Sequence, residues 1–130
     1  MILDSSFLID LLRGRNEEAK KKAEELDRIF VTKSISSISI MELWRGACLI
    51  QSEKEKKKIL SLLNSVIIYD FDAYAAKVAA EIEADLKIKG KNIDREDIMI
   101  AAIAKTKNEP VLTRNVKHFS KIEGLTVESY

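Results

Sequence analysis

The chain has few of the residues that bend, cross-link or anchor a protein. It contains one cysteine, Cys48, in 130 residues. A single thiol excludes an intramolecular disulfide and a multi-cysteine metal cage, and it fits a reducing cytoplasm. Cys48 is expected as a small buried hydrophobe on a helix rather than as a nucleophile. One proline and four glycines are too few for a flexible linker. Residues 1–130 are therefore read as a single domain, long enough to bury roughly two-thirds of its unfolded surface. No run of 18 apolar residues exists, which argues against a membrane-spanning helix. The opening residues Met1–Ser6 lack a basic segment, so no signal peptide is expected. An excess of one charge is missing too. The 22 Lys and Arg against 21 Asp and Glu leave a net charge of +1, so no global field draws the chain onto nucleic acid or an anionic membrane. Polyanion binding would need a local patch. A Gly-rich phosphate loop is also absent, which argues against P-loop nucleotide hydrolysis.

What is present is a regular alternation of short apolar runs and amphipathic stretches. Residues 1–4 read as a strand, and Ser5 or Ser6 can cap a helix over 7–13 that Gly14 stops. Residues 16–28 read as an amphipathic helix and 29–31 as a short strand. Ser36 to Ser39 offer caps for a helix over about 38–50, and a Lys/Glu-rich helix follows over 53–64. A strand is expected at 66–69. Asp72 then caps a helix to about Ile88, which Gly90 ends. Asp94 caps a helix over about 95–107 that is apolar nearly all round and so should be central. Residues 110–113 read as a strand, 116–119 as a turn of helix and 125–127 as a last strand. Short strands alternating with helices point to an α/β domain with a mainly parallel sheet.

Acids are common here, so location discriminates better than number. Asp4 ends the first apolar run, and in open α/β sheets ligands bind at the strand carboxyl ends. Glu42 lies between Ile40-Met41 and Leu43-Trp44. Asp97 opens the most apolar helix. Carboxylates in apolar surroundings must be paired, capping or bound to metal. Each has a plain alternative. Asp4 can be a helix cap, Glu42 can pair with Arg45 one turn on, and Asp97 can complement the helix dipole. Asp94 reads first as an N-cap. Should the three acids converge, they form a hard-oxygen site suited to Mg²⁺ or Mn²⁺, and phosphodiester hydrolysis is the natural chemistry of such a site.

Their order along the chain is more specific than any one of them. The blocks Leu3-Asp4-Ser5-Ser6, Ile38 to Gly46, Asp94 to Ala102 and Leu112 to Phe119, with Gly124-Leu125 near the end, strongly resemble the PIN-domain family. Within that family the chain looks like the small VapC-type toxins of toxin–antitoxin pairs, over essentially its whole length. The resemblance implies a three-layer α/β/α fold around a central, mainly parallel sheet. It implies a Mg²⁺- or Mn²⁺-dependent endoribonuclease of the cytoplasm, acting on single-stranded or looped RNA, with a cognate antitoxin and a homodimeric assembly. By position, Asp4, Glu42 and Asp97 match the family's three best-defined acids. Asp4 and Asp97 would bind metal most directly and Glu42 through a water. Ser5, Ser6, Asp94, Thr113 and Asn115 would support them. Many PIN domains carry a fourth Asp where this chain has Asn115, and His118 stands where a further acid is often found. The thinner acid set implies one tightly held ion, with any second arriving with substrate. His118 itself reads as a turn residue. Arg114, Arg13, Arg45, Arg95 and Lys117 are the candidates for RNA phosphate, Arg114 first among them because it lies between Thr113 and Asn115. The competing reading is a catalytically silent PIN-like module that binds RNA or a partner.

Overall fold

The computed structural model describes all 130 residues. In chain order the elements are β1 (Ile2–Leu3), α1 (Ser5–Arg13), α2 (Glu17–Arg28), β2 (Ser34–Ser36), α3 (Ser37–Leu49), α4 (Glu53–Leu63), β3 (Ile67–Tyr69), α5 (Ala73–Ile88), α6 (Arg95–Lys107), β4 (Val111–Leu112), α7 (Val116–Phe119) and β5 (Val127–Glu128). The five strands form one sheet in the order β3-β2-β1-β4-β5, with every pairing parallel. Strand order reverses between β1 and β4. In open α/β sheets such a switch point leaves a crevice at the strand carboxyl ends. Asp4 and Thr113 are the residues that leave these two strands, so β1–β4 pairing puts them on one rim. The Asp4 N–H donates to the Leu112 carbonyl at 3.0 Å.

Each strand's alternation sends neighbouring side chains to opposite faces. Ile2 and Val111 pack with α5, α6 and α7 on one side, and Leu3, Leu112 and Ile35 with α1, α2, α3 and α4 on the other. The result is a three-layer α/β/α sandwich. The near-continuous apolarity of α6 has the expected consequence. Ile98, Ile100, Ala101, Ala102, Ile103 and Ala104 are all buried, and α6 packs along α5. Its alanines allow that close approach.

Most helix limits follow from side-chain caps. Asn16, Ser36, Ser52 and Asp72 each accept an N–H from the first turn of α2, α3, α4 and α5. Gly14 ends α1 at φ 66°, a left-handed conformation that glycine adopts without a Cβ clash.

Three expectations are corrected. Residues 29–31 are not a strand. Phe30 turns to φ 55° and the Val31 N–H returns to the Leu26 carbonyl at 3.0 Å, so this segment closes α2. The strand is instead the polar Ser34-Ile35-Ser36. Its hydroxyls have partners, Ser34 donating to Glu109 and Ser36 capping α3. Neither Ser5 nor Ser6 caps α1, because the cap position is Asp4, whose side chain makes no capping bond. Cys48 is exposed rather than buried. The core face of α3 is carried by Leu43 and Ala47, and the next residue lies about 100° further round the helix.

Candidate active site

Asp4 is 1% exposed. Two hydroxyls donate to its Oδ2, Ser6 Oγ at 2.7 Å and Thr113 Oγ1 at 2.7 Å. Both hydroxyl oxygens then accept backbone N–H groups. Ser6 Oγ takes that of Arg114 at 3.1 Å, and Thr113 Oγ1 that of Asn115 at 2.9 Å. Each hydroxyl thus gives its one proton to the acid and fixes the loop after β4 in return. Asp4 thus stands at the cap position of α1 with its carboxylate held by hydroxyls, making no bond to the first-turn N–H groups and having no basic partner. Glu42 comes in from α3 and accepts from Ser5 Oγ at 2.8 Å. It does not pair with Arg45, which is exposed and has no carboxylate partner.

Asp97, in the first turn of α6, is 8% exposed. Its Oδ2 lies 3.0 Å from His118 Nδ1. Burial pushes the Asp97 carboxyl above its usual range. The His118 contact opposes this, and the negative charges of Asp4 and Asp94 add to it. Burial likewise raises Glu42, against the Ser5 hydrogen bond, with Asp4, Asp97 and Glu96 contributing repulsion. These mutual effects place the three acids of the motif reading in one electrostatic neighbourhood. It contains negative charge without Lys or Arg, which is the environment a divalent cation relieves. The donor set of carboxylates and hydroxyls fits such an ion. The one group of three metal-capable side chains whose donor atoms all lie within 4.8 Å of one another is Asp94, Asp97 and His118. Asp94 takes the N-cap position of α6, but its side chain makes no capping bond.

The first 125 residues match the family model described as PIN domain. The chain belongs to the PIN domain family. It is 32% identical to the tRNA(fMet)-specific endonuclease VapC of Salmonella typhimurium, over 99% of this chain and 96% of that protein. It is 30% identical to Ribonuclease VapC1 of Methanocaldococcus jannaschii, over 100% of this chain and 86% of that protein. Among solved structures it superimposes on VapBC2 from Rickettsia felis, bound to a DNA fragment from their promoter. The TM-score is 0.84 at 27% identity, covering 99% of this chain and 97% of that one.

Within this PIN domain the remaining candidates divide clearly. Ser5, Ser6 and Thr113 join Asp4 and Glu42. Asn115 is half-buried at the start of α7 and contributes its backbone N–H, while its side chain makes no cap bond. The side chain that reaches Asp97 from this segment is His118, on the short helix α7, so the reading of His118 as a mere turn residue is replaced. Arg114 is bound rather than free, with Nη1 lying 2.9 and 3.0 Å from the two carboxylate oxygens of Asp10. Arg95 pairs with Glu83 at 2.9 Å on the outer face. Arg13 lines a groove on the α1–α3–α4 side, and Lys117 is exposed on α7.

Asp10 is the residue sequence reasoning missed. It is 8% exposed and also accepts from Tyr130 Oη at 2.6 Å and Asn16 Nδ2 at 3.2 Å. A signal was available, since an acid inside Phe7-Leu8-Ile9-Asp10-Leu11-Leu12 meets the criterion that singled out Asp97. Its partners lie as far off as Tyr130, beyond any sequence pattern.

The raised carboxyls have a consequence for stability. Glu42 and Asp97 ionise less readily folded than unfolded, from ordinary values of 4.5 and 3.8. The fold therefore binds more protons than the unfolded chain between the ordinary and the raised values. In that window stability falls as pH rises, and the loss is complete above the raised values. In chelator at neutral pH, Glu42→Gln is expected to stabilise the protein by about 1 kcal/mol, the scale on which relief of an unfavourable charge shows. Its advantage should shrink below the ordinary carboxylate range. Thermal unfolding followed by circular dichroism across pH tests this. A variant no more stable than the parent at neutral pH contradicts it.

Proposed function

We propose that this PIN domain is a divalent-metal-dependent endoribonuclease that hydrolyses RNA phosphodiester bonds as the toxin of a toxin–antitoxin pair. The observation that carries the reading is the acid set at the β1–β4 switch point, buried Asp4 and Asp97 with half-buried Glu42, repelling one another with no Lys or Arg among them. Its names come from relatives that are VapC ribonucleases over the full length of the chain. Asp4 and Asp97 would hold the ion, Mg²⁺ or Mn²⁺, with Glu42 acting through a water. When bound, the ion lowers the pKa of water and offsets charge on the phosphate. The protein's own part is positioning. Ser6 and Thr113 fix the Asp4 carboxylate, Ser5 fixes Glu42, and Asp10 holds Arg114 where its exposed guanidinium can meet a phosphate. Single-stranded or looped RNA suits a rim of this shape, because unstacked backbone can enter it. The expected products carry 5′-phosphate and 3′-hydroxyl ends. An RNA substrate fits a cytoplasmic enzyme. No helix is long and apolar enough to cross a membrane.

An antitoxin partner is supported by the VapBC neighbours. A groove of about 700 Å³ opens beside Glu42, with Ile9, Leu12, Leu43, Leu49 and Ile50 among its lining. An amphipathic segment of the antitoxin would lay its apolar side there. A homodimer belongs to the same reading and is supported by exposed apolar side chains such as Ile67, Ile68 and Tyr74.

The test is cleavage of structured and unstructured RNA with Mg²⁺, with Mn²⁺ and with chelator, beside Asp97→Asn. Cleavage is expected only with metal and only in the parent. Equal activity in chelator and in the variant would sink the nuclease reading. RNA or partner binding by folded protein without metal-dependent cleavage would select the silent-module alternative.

A further inference from the structure

The geometry points to His118 as a direct nitrogen ligand of the cation at the Asp97 end of the site, forming with Asp97 and Asp94 a mixed nitrogen–oxygen set that favours Mn²⁺ over Mg²⁺. This rests on the nuclease reading above for the presence of a cation, and it goes further by naming a ligand and the metal class.

The donor atoms lie close enough for one ion to gather them. Metal–donor bonds of about 2.1 Å put neighbouring octahedral ligands about 3.0 Å apart. The Asp97 Oδ2 to His118 Nδ1 separation is 3.0 Å. Asp94 completes the only triad whose donors converge within 4.8 Å. Its carboxylate is uncommitted, because it neither caps α6 nor pairs with Arg95, which is bound to Glu83. Asp97 is buried and has no Lys or Arg partner, so His118 is the one non-acidic donor facing it. The backbone that carries the imidazole is anchored: its neighbour Phe119 is fully buried, and the His118 backbone N–H donates to the Asn115 carbonyl at 3.0 Å.

The chemistry follows from the donor type. Mg²⁺ takes oxygen ligands and keeps several waters, and it gains little from an imidazole. First-row transition ions accept imidazole more readily than Mg²⁺ does, and Mn²⁺ among them also suits carboxylates and water. A purely acidic rim separates the two ions only by their size and ease of dehydration. A rim with His118 in the ligand position does not.

The experiment is Mn²⁺ binding to the whole protein, followed by loss of the free-ion EPR signal, with Mg²⁺ as competitor. Pulsed EPR then reads nitrogen coupling to the bound Mn²⁺. The parent is expected to show an imidazole nitrogen coupling, lost in His118→Ala. Mn²⁺ affinity in that variant should fall by about tenfold or more, with Mg²⁺ affinity changed much less. His118→Asp should narrow the preference for Mn²⁺ by restoring an oxygen donor. Asp94→Asn should weaken Mn²⁺ while keeping the nitrogen coupling. Mn²⁺ that binds the parent without nitrogen coupling, or variants at His118 that lose both ions equally, would overturn the proposal and leave the acidic metal site standing. Absence of Mn²⁺ and Mg²⁺ binding, or unchanged binding in Asp97→Asn, would overturn that site as well.

Discussion

Asp4→Asn is expected to lower metal-dependent RNA cleavage by on the order of 10³-fold while the protein stays folded. A direct metal ligand supports several kcal/mol of charge stabilisation in the transition state, and about 4 kcal/mol is a factor of 10³ in rate. The fold should survive because the amide has the carboxylate's shape and keeps one acceptor oxygen. Ser6 and Thr113 both donate to Oδ2, so the amide oxygen can take that position. Removing one negative charge from a site crowded with Glu42 and Asp97 also lessens repulsion. Single-turnover cleavage, with circular dichroism as the folding control, decides the matter. A folded variant within tenfold of the parent would remove Asp4 from the machinery. The same measurement on Ser6→Ala, which takes away one of the two hydroxyls on Asp4, should show a smaller loss of about 10- to 100-fold.

Phe119→Ala should have the largest effect on stability, about 3–5 kcal/mol. Against a usual total of roughly 5–15 kcal/mol this is a large fraction. The ring is fully buried in the cluster built from α5, α6 and β4, with Ile103 and Ala104 among its members. A four-residue helix such as α7 has little stability of its own. It is held in place by this side chain, so the substitution opens a cavity and also loosens the segment that carries His118. Urea unfolding should show a lower midpoint with an unchanged slope. A loss below about 1 kcal/mol would mean that α7 is fixed by other contacts. The energy and the site are thus linked: the aromatic that closes one core also presents the imidazole to Asp97.

The elements with local causes were legible in the residues. Ser36 and Asp72 cap the helices they were expected to cap, and Gly14 and Gly90 end theirs. α6, apolar nearly all round, is central. The segment after α2 was misread because Ile29-Phe30-Val31 has strand-like composition. Only Val31 of the three packs on the core, while Ile29 and Phe30 are exposed, so the segment has no buried strand face. The site shows the same division. Asp4, Glu42 and Asp97 stand out as acids in apolar sequence. Asp10 satisfies the same test, but its role as the holder of Arg114 depends on a partner 104 positions away.

The sequence alone determined the alternation of strands and helices, the parallel sheet and the order of acids that marks the family. These follow from periodicity, capping and residue chemistry within a few positions. Only the tertiary structure decided which groups meet. Pairing of β1 with β4 brings Thr113 to Asp4 across 109 positions. Packing of α7 against α6 carries His118 to Asp97 across 21. Hydrogen-bond and ligand geometry is set over about 3 Å. A contact that short is fixed by how whole layers seat on one another, and that seating is a property of the packed core rather than of any local run of residues.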